Sequence, residues 1–452
     1  TLAESDADRL TRRQLDVEFQ WLVSLFDVSV SSFERKRYEN LSHEANKAMN
    51  LNAYISLMGG TWVERQGASG VRLMRTELDG WKVPDSDYLV TLDADSVLVP
   101  EYVPTLVGVL ERPSRHRFAI AQTPYSAIPG SPGELERVAG ATTDIQYITH
   151  QGFTHFNATY WVGANAVIRK RALADIEQVT DERGFPVKRY IQDRTVIEDT
   201  ESSVDLLSEG WRLYNHPRRL SYSATPPDFG SLVVQRQRWA NGGLIILPKL
   251  LRYRIRNRRI SPRYLVDTLV HAHYLVSIAA VNVALLVLLL VPFSASFVSV
   301  WLPLTAVGYF VLYGRDLSQS GYRYLDVVKI YALNLLLLPV HLAGVAKSIE
   351  QGVTGRKIPF ARTPKIDGRT AAPARYLVAI LLLMALWAVG SLSDLTGDRV
   401  LLGVFSLANV LIVAFGVTIF IGWRRLAGDI RSQLRTPSRL HRGASLAGSE
   451  QG

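Results

Sequence analysis

The sequence predicts an α/β domain with a mostly parallel sheet, followed by an α-helical transmembrane region. In the first half, short apolar runs that end in polar residues alternate with helical patterns, which is typical of parallel strands with helices on both faces of the sheet. In the second half, no Asp, Glu, Lys or Arg occurs between Asp267 and Arg315, a stretch long enough for two membrane spans of about 20 residues each. The change between the two regions lies near residue 264.

An acidic pair marks the most informative strand of the α/β domain. The apolar run from Tyr88 to Leu92 stops at Asp93-Ala94-Asp95, as expected for a buried strand whose carboxylates lie at the sheet edge where ligands bind. Two carboxylates one residue apart offer hard oxygen ligands to Mg²⁺ or Mn²⁺, and such a cation completes its coordination with substrate phosphates. The pair therefore predicts a metal-assisted diphosphate site, while the same pattern also occurs in solvated turns.

Composition restricts the possible chemistry. The chain of 452 residues has a net charge of +10 and is 48% hydrophobic, so charged and apolar residues must be segregated along it. Because it contains no cysteine, disulfides, thiolate zinc sites and a cysteine nucleophile are excluded. The arginines cluster beside the apolar segments, where anionic lipid is a simpler partner than nucleic acid. Residues 1–35 start at Thr1 without a signal peptide, and we expect them to be an incomplete part of a longer N-terminal region.

Four segments are predicted to span the membrane. Two lie in the uncharged stretch, with a turn at Pro292-Phe293-Ser294, and two more are Tyr376 to Val389 and Val400 to Trp423. Arginines precede the first span and follow the last. The positive-inside rule therefore places residues 1–263 and the C-terminal tail in the cytoplasm.

A fifth apolar run, Val327 to Val345, is better explained by a helix at the membrane surface. If it crossed the bilayer, the basic segment from Arg356 to Arg375 would lie outside, against the charge rule. We therefore expect an interfacial helix at about 324–350 within a transmembrane region of residues 264–425. Residues 426–452 are expected to form a disordered tail.

Two groups of polar residues in the α/β domain have both a functional and a structural interpretation. Lys47, Asn50 and Asn52 share one helical turn and either face a nucleotide or merely cap and solvate a helix. Glu198 and Asp199 open a helical pattern, where the helix dipole favours carboxylates even without a function. A carboxylate near a leaving diphosphate is also suited to act as a general base.

A third group precedes the membrane region. Gln235, Arg238 and Trp239 lie three to four residues apart and therefore share one face of a helix. An arginine there can bind phosphate oxygens in a bidentate manner, and an indole ring is a good platform for a sugar. A tryptophan beside a membrane region is also often an interfacial anchor. We expect residues 231–263 to form an interfacial helix with this motif and a basic linker.

The order of these motifs resembles that of processive family 2 glycosyltransferases, and among them the bacterial cellulose synthase catalytic subunits and related β-glucan synthases. The resemblance extends over about residues 40–425. It rests on Asp93-Ala94-Asp95, Gln122-Thr123-Pro124, Glu198-Asp199 with Gly210-Trp211, and Gln235, Arg238 and Trp239 just before membrane helices. It implies a GT-A-like (Rossmann-like) domain over residues 36–230.

The resemblance also implies roles for the acidic residues. Asp95 and Asp93 are similar to the family's site for Mg²⁺ or Mn²⁺, with Asp95 the expected direct ligand and Asp93 closer to the nucleotide. Asp199 matches the family's catalytic base, and Glu198 lies beside it. Ile197 stands where a threonine is usual.

Donor and acceptor sites follow from the same resemblance. Gln235 and Arg238 match residues that hold the diphosphate, and Trp239 matches the residue that holds the acceptor end of the glucan. On the nucleotide side, the resemblance assigns donor binding to Lys47, Asn50 and Asn52. In this segment Met49 replaces a glycine of the family pattern.

A loop between membrane helices completes the resemblance. Within residues 356–375, the segment containing Phe360, Thr363 and Lys365 is similar to the cellulose synthase gating loop, which inserts over the bound nucleotide. Arg362 replaces a valine of that motif.

The function implied is that of an inverting enzyme of the bacterial inner membrane, which transfers sugar from a UDP-sugar, most simply UDP-glucose, to a growing β-glucan and couples synthesis to export. Expected partners are the donor, the glucan acceptor, membrane lipid and accessory synthase or export subunits. Three alternatives share part of the motifs: a hyaluronan- or chitin-type synthase using UDP-N-acetylglucosamine, a nonprocessive lipid-linked sugar transferase, and a noncatalytic membrane assembly subunit. The family's first nucleotide-binding unit has no counterpart before Lys47, and no cyclic-di-GMP-binding signature occurs in the tail.

Overall fold

The computed structural model describes residues 11–26, 32–67, 69–128, 131, 133–162, 165–195, 197–257, 261–290, 301–355, 368–397 and 399–435. The helices are α1 (Arg12–Phe26), α2 (Lys47–Leu57), α3 (Tyr102–Leu110), α4 (Glu134–His155), α5 (Lys170–Asp175), α6 (Glu198–Ser208), α7 (Phe229–Arg256), α8 (Pro262–Leu290), α9 (Trp301–Gln319), α10 (Asp326–Thr354), α11 (Ala374–Thr396), α12 (Val400–Phe420) and α13 (Trp423–Arg435). The strands are β1 (Thr61–Gln66), β2 (Val71–Thr76), β3 (Trp81–Lys82), β4 (Tyr88–Thr91), β5 (Ser96–Leu98), β6 (Phe118–Gln122), β7 (Tyr125–Ala127), β8 (Ala166–Arg169), β9 (Gln178–Glu182), β10 (Phe185–Arg189), β11 (Arg212–Asn215) and β12 (Ser221–Ser223).

The central sheet of the α/β domain is mixed, so the prediction of a mostly parallel sheet is wrong. Its strand order is β11-β6-β8-β4. β11 pairs with β6 in parallel, whereas β8 runs antiparallel to both β6 and β4. After α4 the chain re-enters the sheet at the carboxyl end of β4, where Ala166 pairs with Thr91, and it must therefore run in the opposite direction. The apolar residues 166–168 give the same sequence pattern whether the strand is parallel or antiparallel.

The strands outside the central sheet form smaller sheets. β12 pairs with β5 in antiparallel and with β7 in parallel fashion. β5 begins directly after Asp95, so the acidic turn lies between the central sheet and this small sheet. Ile120 and Ile168, at the centre of the larger sheet, are fully buried and provide a rigid base for the turn. β1, β2 and β3 form a separate antiparallel sheet, and β9 and β10 form a hairpin.

Among the described residues, four helices are long and apolar enough to cross a membrane: α8, α10, α11 and α12. This set includes α10, which was expected to lie at the surface, and omits α9, which was expected to span and which carries Arg315 and Asp316 near its end. With 29 residues, α10 is about 43 Å long and exceeds the hydrocarbon thickness of about 30 Å, so its length fits either arrangement.

Contacts of α10 with the α/β domain favour the surface position. At its first residue, the Asp326 carboxylate accepts two hydrogen bonds from Arg137 of α4, at 2.7 and 3.0 Å. In its last turn, the side chain of Gln351 donates to the carbonyl oxygen of Arg194, before α6, at 3.5 Å. Because both ends of α10 reach the α/β domain, the helix is expected to run along the membrane surface.

Hydrogen bonds join the ends of the remaining long helices to α4, α7 and α13. The α8–α9 pair begins where Tyr264 donates a hydrogen bond to the carbonyl oxygen of Arg254 at the end of α7, at 2.7 Å. Just after α9, the Tyr322 hydroxyl donates to Asp144 of α4 at 2.8 Å. For the α11–α12 pair, Asp429 of α13 accepts a hydrogen bond from the amide of residue 372 at 3.0 Å.

The tail differs from its predicted boundary. Residues 423–435 form α13, so the segment expected to be disordered from residue 426 begins with a helix. Its carboxylate Asp429 pairs with Arg369 and accepts the bond from residue 372, which fixes the helix beside the start of α11. Residues 436–452 lie outside the described part of the chain.

The two arrangements of α10 predict different labelling of single cysteines, and the native chain contains none. We expect Leu78→Cys in the α/β domain, Gln319→Cys at the end of α9 and Val353→Cys at the end of α10 to react with an impermeant maleimide from the same side of sealed vesicles. Thr396→Cys, at the far end of α11, should react only after the vesicles are opened or inverted. Labelling of Gln319→Cys and Val353→Cys from opposite sides would show that α10 crosses the bilayer.

Candidate active site

The acidic pair Asp93 and Asp95 lies in the turn between β4 and β5. The amide of Ser96 donates to the carbonyl oxygen of Asp93 at 3.0 Å, and the amide of Ala224 donates to that of Asp95 at 3.1 Å. The amide of Asp93 also donates to the side-chain oxygen of Asn165 at 3.4 Å. These bonds hold the turn from both sheets, so two half-buried carboxylates are fixed at the edge of the domain.

Lys47, the first residue of α2, forms an ion pair with Asp93. The helix is capped by Asn46, whose side-chain oxygen accepts a hydrogen bond from the amide of Met49 at 2.8 Å. The amide nitrogen of the Asn46 side chain donates to Asp193 at 3.2 Å. The cap determines where α2 begins and thereby places the Lys47 ammonium beside the acidic turn.

The structure does not bring Asn52 and Asn50 to this turn. Asn52 is fully buried. Its side-chain nitrogen donates to the carbonyl oxygen of Ile191 at 2.7 Å, and its side-chain oxygen accepts hydrogen bonds from the backbone amides of residues 190 and 191. Its amide group is therefore hydrogen-bonded within the fold, and its role in donor binding stays a prediction. Asn50 is exposed and accepts a hydrogen bond from Arg35 at 2.6 Å. Among the described residues of this group, Lys47 is the one that contacts the acidic turn.

Glu198 and Asp199 form the first turn of α6. The Asp199 carboxylate accepts a hydrogen bond from the amide of Thr200 at 2.7 Å. Two serines of the next turn hold the helix start in the fold: Ser202 accepts from the amide of Gln192 at 3.0 Å, and Ser203 accepts from the amide of Trp161 at 2.9 Å. Both carboxylates are therefore presented by a helix end that is tied to two neighbouring loops.

The electrostatics of Glu198 show which charges lie around it. Burial raises the pKa of Glu198 to about 7, and the negative charge of Asp199 acts in the same direction. The positive charges of Lys47 and Arg238 oppose this rise of the pKa. Residues from α2, α6 and α7 thus meet at one place, and Lys47 links it to Asp93 of the acidic turn.

The motif on α7 has one unexpected contact. The guanidinium of Arg236 lies 4.4 Å from the centre of the Trp239 ring. Arg236 also donates to the carbonyl oxygen of Ala139 at 3.2 Å and to the hydroxyl of Thr142 at 2.8 Å, both on α4. One face of the indole is therefore covered. Gln235, one turn earlier on the same helix, is half-buried.

Tyr125 is a site residue that sequence reasoning did not identify. Burial raises the pKa of its hydroxyl, and the negative charges of Asp199 and Asp93 act in the same direction, so the ring lies near both acidic groups. Its ring meets that of Tyr147 edge to face at a centroid distance of 5.2 Å. One feature of the sequence could have indicated Tyr125: it directly follows the motif Gln122-Thr123-Pro124, which begins at the last residue of β6.

The predicted gating loop falls outside the described part of the chain, which ends at residue 355 and resumes at residue 368. Phe360, Thr363 and Lys365 therefore remain predictions from the resemblance. The described chain that follows this segment contacts α7, because the hydroxyls of Thr370 and of Ser231 on α7 are 2.9 Å apart.

The acidic turn fits a divalent cation that is shared with a substrate. Among the described residues, no cluster of three or more histidine, aspartate or glutamate side chains could hold a metal ion. Two carboxylates suit Mg²⁺ or Mn²⁺ when phosphate oxygens and water complete the coordination. Lys47 pairs with Asp93, and Asp95 as the direct ligand remains a prediction from the resemblance. The residues present thus fit the predicted cofactor when it binds together with a diphosphate.

Comparison with known proteins places this site in a family. The family model for "Glycosyl transferase family group 2" matches residues 88–313, which is half of the chain. No curated protein matches the sequence. Among solved structures, the mannosyltransferase PcManGT from Pyrobaculum calidifontis in complex with GDP-Man and Mn²⁺ is similar to the chain, with a TM-score of 0.40 and 14% identity over 75% of each chain.

The matched residues run from the first residue of β4 into α9. They include the acidic turn, the two carboxylates of α6 and the arginine and tryptophan of α7, whereas Lys47 lies before them. Because the match extends over half of the chain and contains these elements in order, the chain belongs to glycosyl transferase family group 2.

Proposed function

We propose that this glycosyltransferase transfers a sugar from a UDP-sugar, with UDP-glucose as the first candidate, to a growing β-glucan and couples synthesis to export. The observation that carries the proposal is the meeting of Lys47, Glu198, Asp199 and Arg238 beside the acidic turn. Two cations beside two carboxylates suit a reaction in which a diphosphate leaves and a hydroxyl loses its proton. This chemistry is required whichever nucleotide sugar is the donor.

Asp199 is assigned the role of general base. Its carboxylate takes the proton of the acceptor hydroxyl while that oxygen attacks the anomeric carbon of the donor, and the bond to the diphosphate oxygen breaks on the opposite side. A single displacement inverts the anomeric centre and converts an α-linked donor into a β-linkage. Glu198, which burial keeps protonated up to a pH of about 7, adds little negative charge beside the departing diphosphate.

Positive groups on two sides of the site are assigned to the diphosphate. Lys47 approaches from α2 and Arg238 from α7, where Gln235 precedes it by one turn. A divalent cation bound at Asp95 would neutralise charge on the leaving group. Trp239 has one ring face covered by Arg236, which leaves the opposite face for the terminal sugar of the acceptor.

We also propose that the protein lies in the bacterial inner membrane. Its α/β domain would then be in the cytoplasm, where nucleotide sugars are made. Two helical hairpins would cross the bilayer, and α10 would lie along its inner surface in contact with lipid and with α7. Accessory synthase or export subunits are then expected on the far side. Basic residues at the end of α7 support this orientation.

The product assay tests the proposal directly. Membranes that contain the complete protein are expected to incorporate radiolabelled UDP-glucose into polymer with Mg²⁺ and to lose that incorporation with EDTA. Digestion by linkage-specific glucanases then identifies the bond. Incorporation from UDP-N-acetylglucosamine instead would indicate a hyaluronan- or chitin-type synthase, and short lipid-linked products would indicate a nonprocessive enzyme. Absence of both UDP binding and transfer would leave the noncatalytic assembly subunit.

The assignment of the base predicts the behaviour of Asp199→Asn. Transfer should fall by about 1,000-fold because the proton of the acceptor has no base, while the affinity for UDP should change little. Glu209→Gln is a matched control, since this exposed carboxylate lies at the opposite end of the same helix. Single-turnover transfer and UDP binding are measured on the same preparations. Near-normal transfer by Asp199→Asn would exclude this residue as the base.

The raised pKa of Glu198 predicts a pH dependence of donor binding. The carboxyl is neutral below its pKa of about 7 and anionic above it, so rising pH adds a negative charge near the diphosphate. We expect the affinity for UDP-glucose to fall by about five- to tenfold between about pH 6 and pH 8, and to be nearly constant in Glu198→Gln. Calorimetric titration across this range tests it, since the diphosphate diester of the donor does not titrate there. The same slope in both proteins would contradict it.

A further inference from the structure

The start of α6 lacks the usual means of fixing a helix end. Its N-cap position is Ile197, which offers no side-chain hydrogen bond to the free amides of the first turn. Glu198 and Asp199 follow it directly. The serines of the next turn tie α6 to the neighbouring loops, and a further contact orients this uncapped start relative to α7.

That contact is made by the Ile197 side chain with α7. A Cβ atom placed on Gly242 would overlap Cγ1 and Cδ1 of Ile197, so the isoleucine occupies the space that any larger residue at position 242 would need. Ile197 also packs against a buried apolar cluster that includes Tyr160, Val204 and Ile246. The residue before the carboxylates is thus inserted against the backbone of α7.

Gly242 lies one helical turn after Arg238, on the same face of α7. The contact therefore sets the distance between the carboxylates of α6 and the guanidinium on α7, and the charge of Arg238 acts on Glu198. Another link between the two helices is the ion pair of Lys249 with Asp205 at 2.7 Å, two turns further along α6. A long flexible lysine tolerates small shifts that close packing does not.

α7 cannot move away from Ile197, because the next residue is packed on its other side. A Cβ atom on Gly243 would overlap the carbonyl oxygen of Leu275 in α8. The two consecutive glycines let α7 lie between the start of α6 and the backbone of α8. An added methyl group at position 242 must therefore be accommodated by Ile197 and by the carboxylates attached to it.

We propose that Ile197 and Gly242 form a positioning pair that holds Glu198 and Asp199 in register with Arg238 on α7. This inference rests on the proposed function, because it assigns the pair a role in sugar transfer. Neither residue touches the substrate in this proposal. The isoleucine that departs from the expected family motif acts by its shape, through packing.

Gly242→Ala is expected to lower the rate of transfer by about 100-fold, since a displacement of the base by a fraction of a bond length misaligns it with the acceptor. The donor KM should change less than about threefold, because Lys47, Asp93 and Asp95 are held by other elements. Gly108→Ala is the control for a helical glycine, since nothing lies within 4 Å of an added Cβ there.

Removing the obstructing side chain should restore the rate. In Gly242→Ala combined with Ile197→Ala, the new methyl group takes the space of the lost Cγ1 and Cδ1, and we expect at least a tenfold recovery over Gly242→Ala alone. Ile197→Val should not rescue, because it keeps an atom at the γ position. Ile197→Ala should also fail to rescue Gly243→Ala, whose obstruction is the backbone of α8.

Transfer by the wild type distinguishes a failure of the proposed function from a failure of the positioning pair. If the wild type is inactive with every donor, the proposed function fails. If it is active but Gly242→Ala keeps its rate, or loses UDP affinity in step with the rate, or is not rescued by Ile197→Ala, the positioning pair is wrong. Thermal unfolding of the wild type, Gly242→Ala, Ile197→Ala and the double variant tests the contact independently of activity. If the two residues touch, the change in stability of the double variant should differ from the sum of the changes in the two single variants.

Discussion

The structure depends on close packing of one helix, α7, against backbone on several sides. Added Cβ atoms on Gly230, Gly243 and Gly344 would overlap the backbone of Thr370, Leu275 and α7 itself, respectively. Glycine is the residue that permits such approach, and each contact brings main chain against main chain with little room for adjustment. α7 is therefore the shared element through which the α/β domain, the hairpins and α10 take fixed positions.

The site near α7 brings four carboxyl groups together, and two positively charged side chains lie beside them. Asp93, Asp95, Glu198 and Asp199 come from two separate segments, and Lys47 and Arg238 approach from two others. A pKa of about 7 for Glu198 means that ionising it in the folded protein costs on the order of 3 kcal/mol more than in water. The fold thus keeps the Glu198 carboxyl protonated at pH values below about 7.

A network of ion pairs joins α4 to the first turn of α10. Arg137 binds Asp326 with two hydrogen bonds and also pairs with Glu134, which in turn contacts Lys329. This network joins α4 to the first turn of α10, and the buried Asp326 carboxylate is fully provided with donors. A half-buried network of this kind is worth more for orientation than for stability, because desolvation offsets much of the attraction. It places the start of α10 against the α/β domain.

The sequence by itself determined the two-part organisation, the acidic strand end and the order of the motifs, because apolar periodicity and charge segregation are local properties that folding preserves. Only the tertiary structure decided the direction of β8, the contacts of α10 at both ends, the burial of Asn52 and the presence of Tyr125 beside the carboxylates. Each of these depends on which segments meet in space. The contact of Ile197 with Gly242 joins residues 45 positions apart, and no local pattern indicates that a missing side chain on one helix makes room for an isoleucine on another.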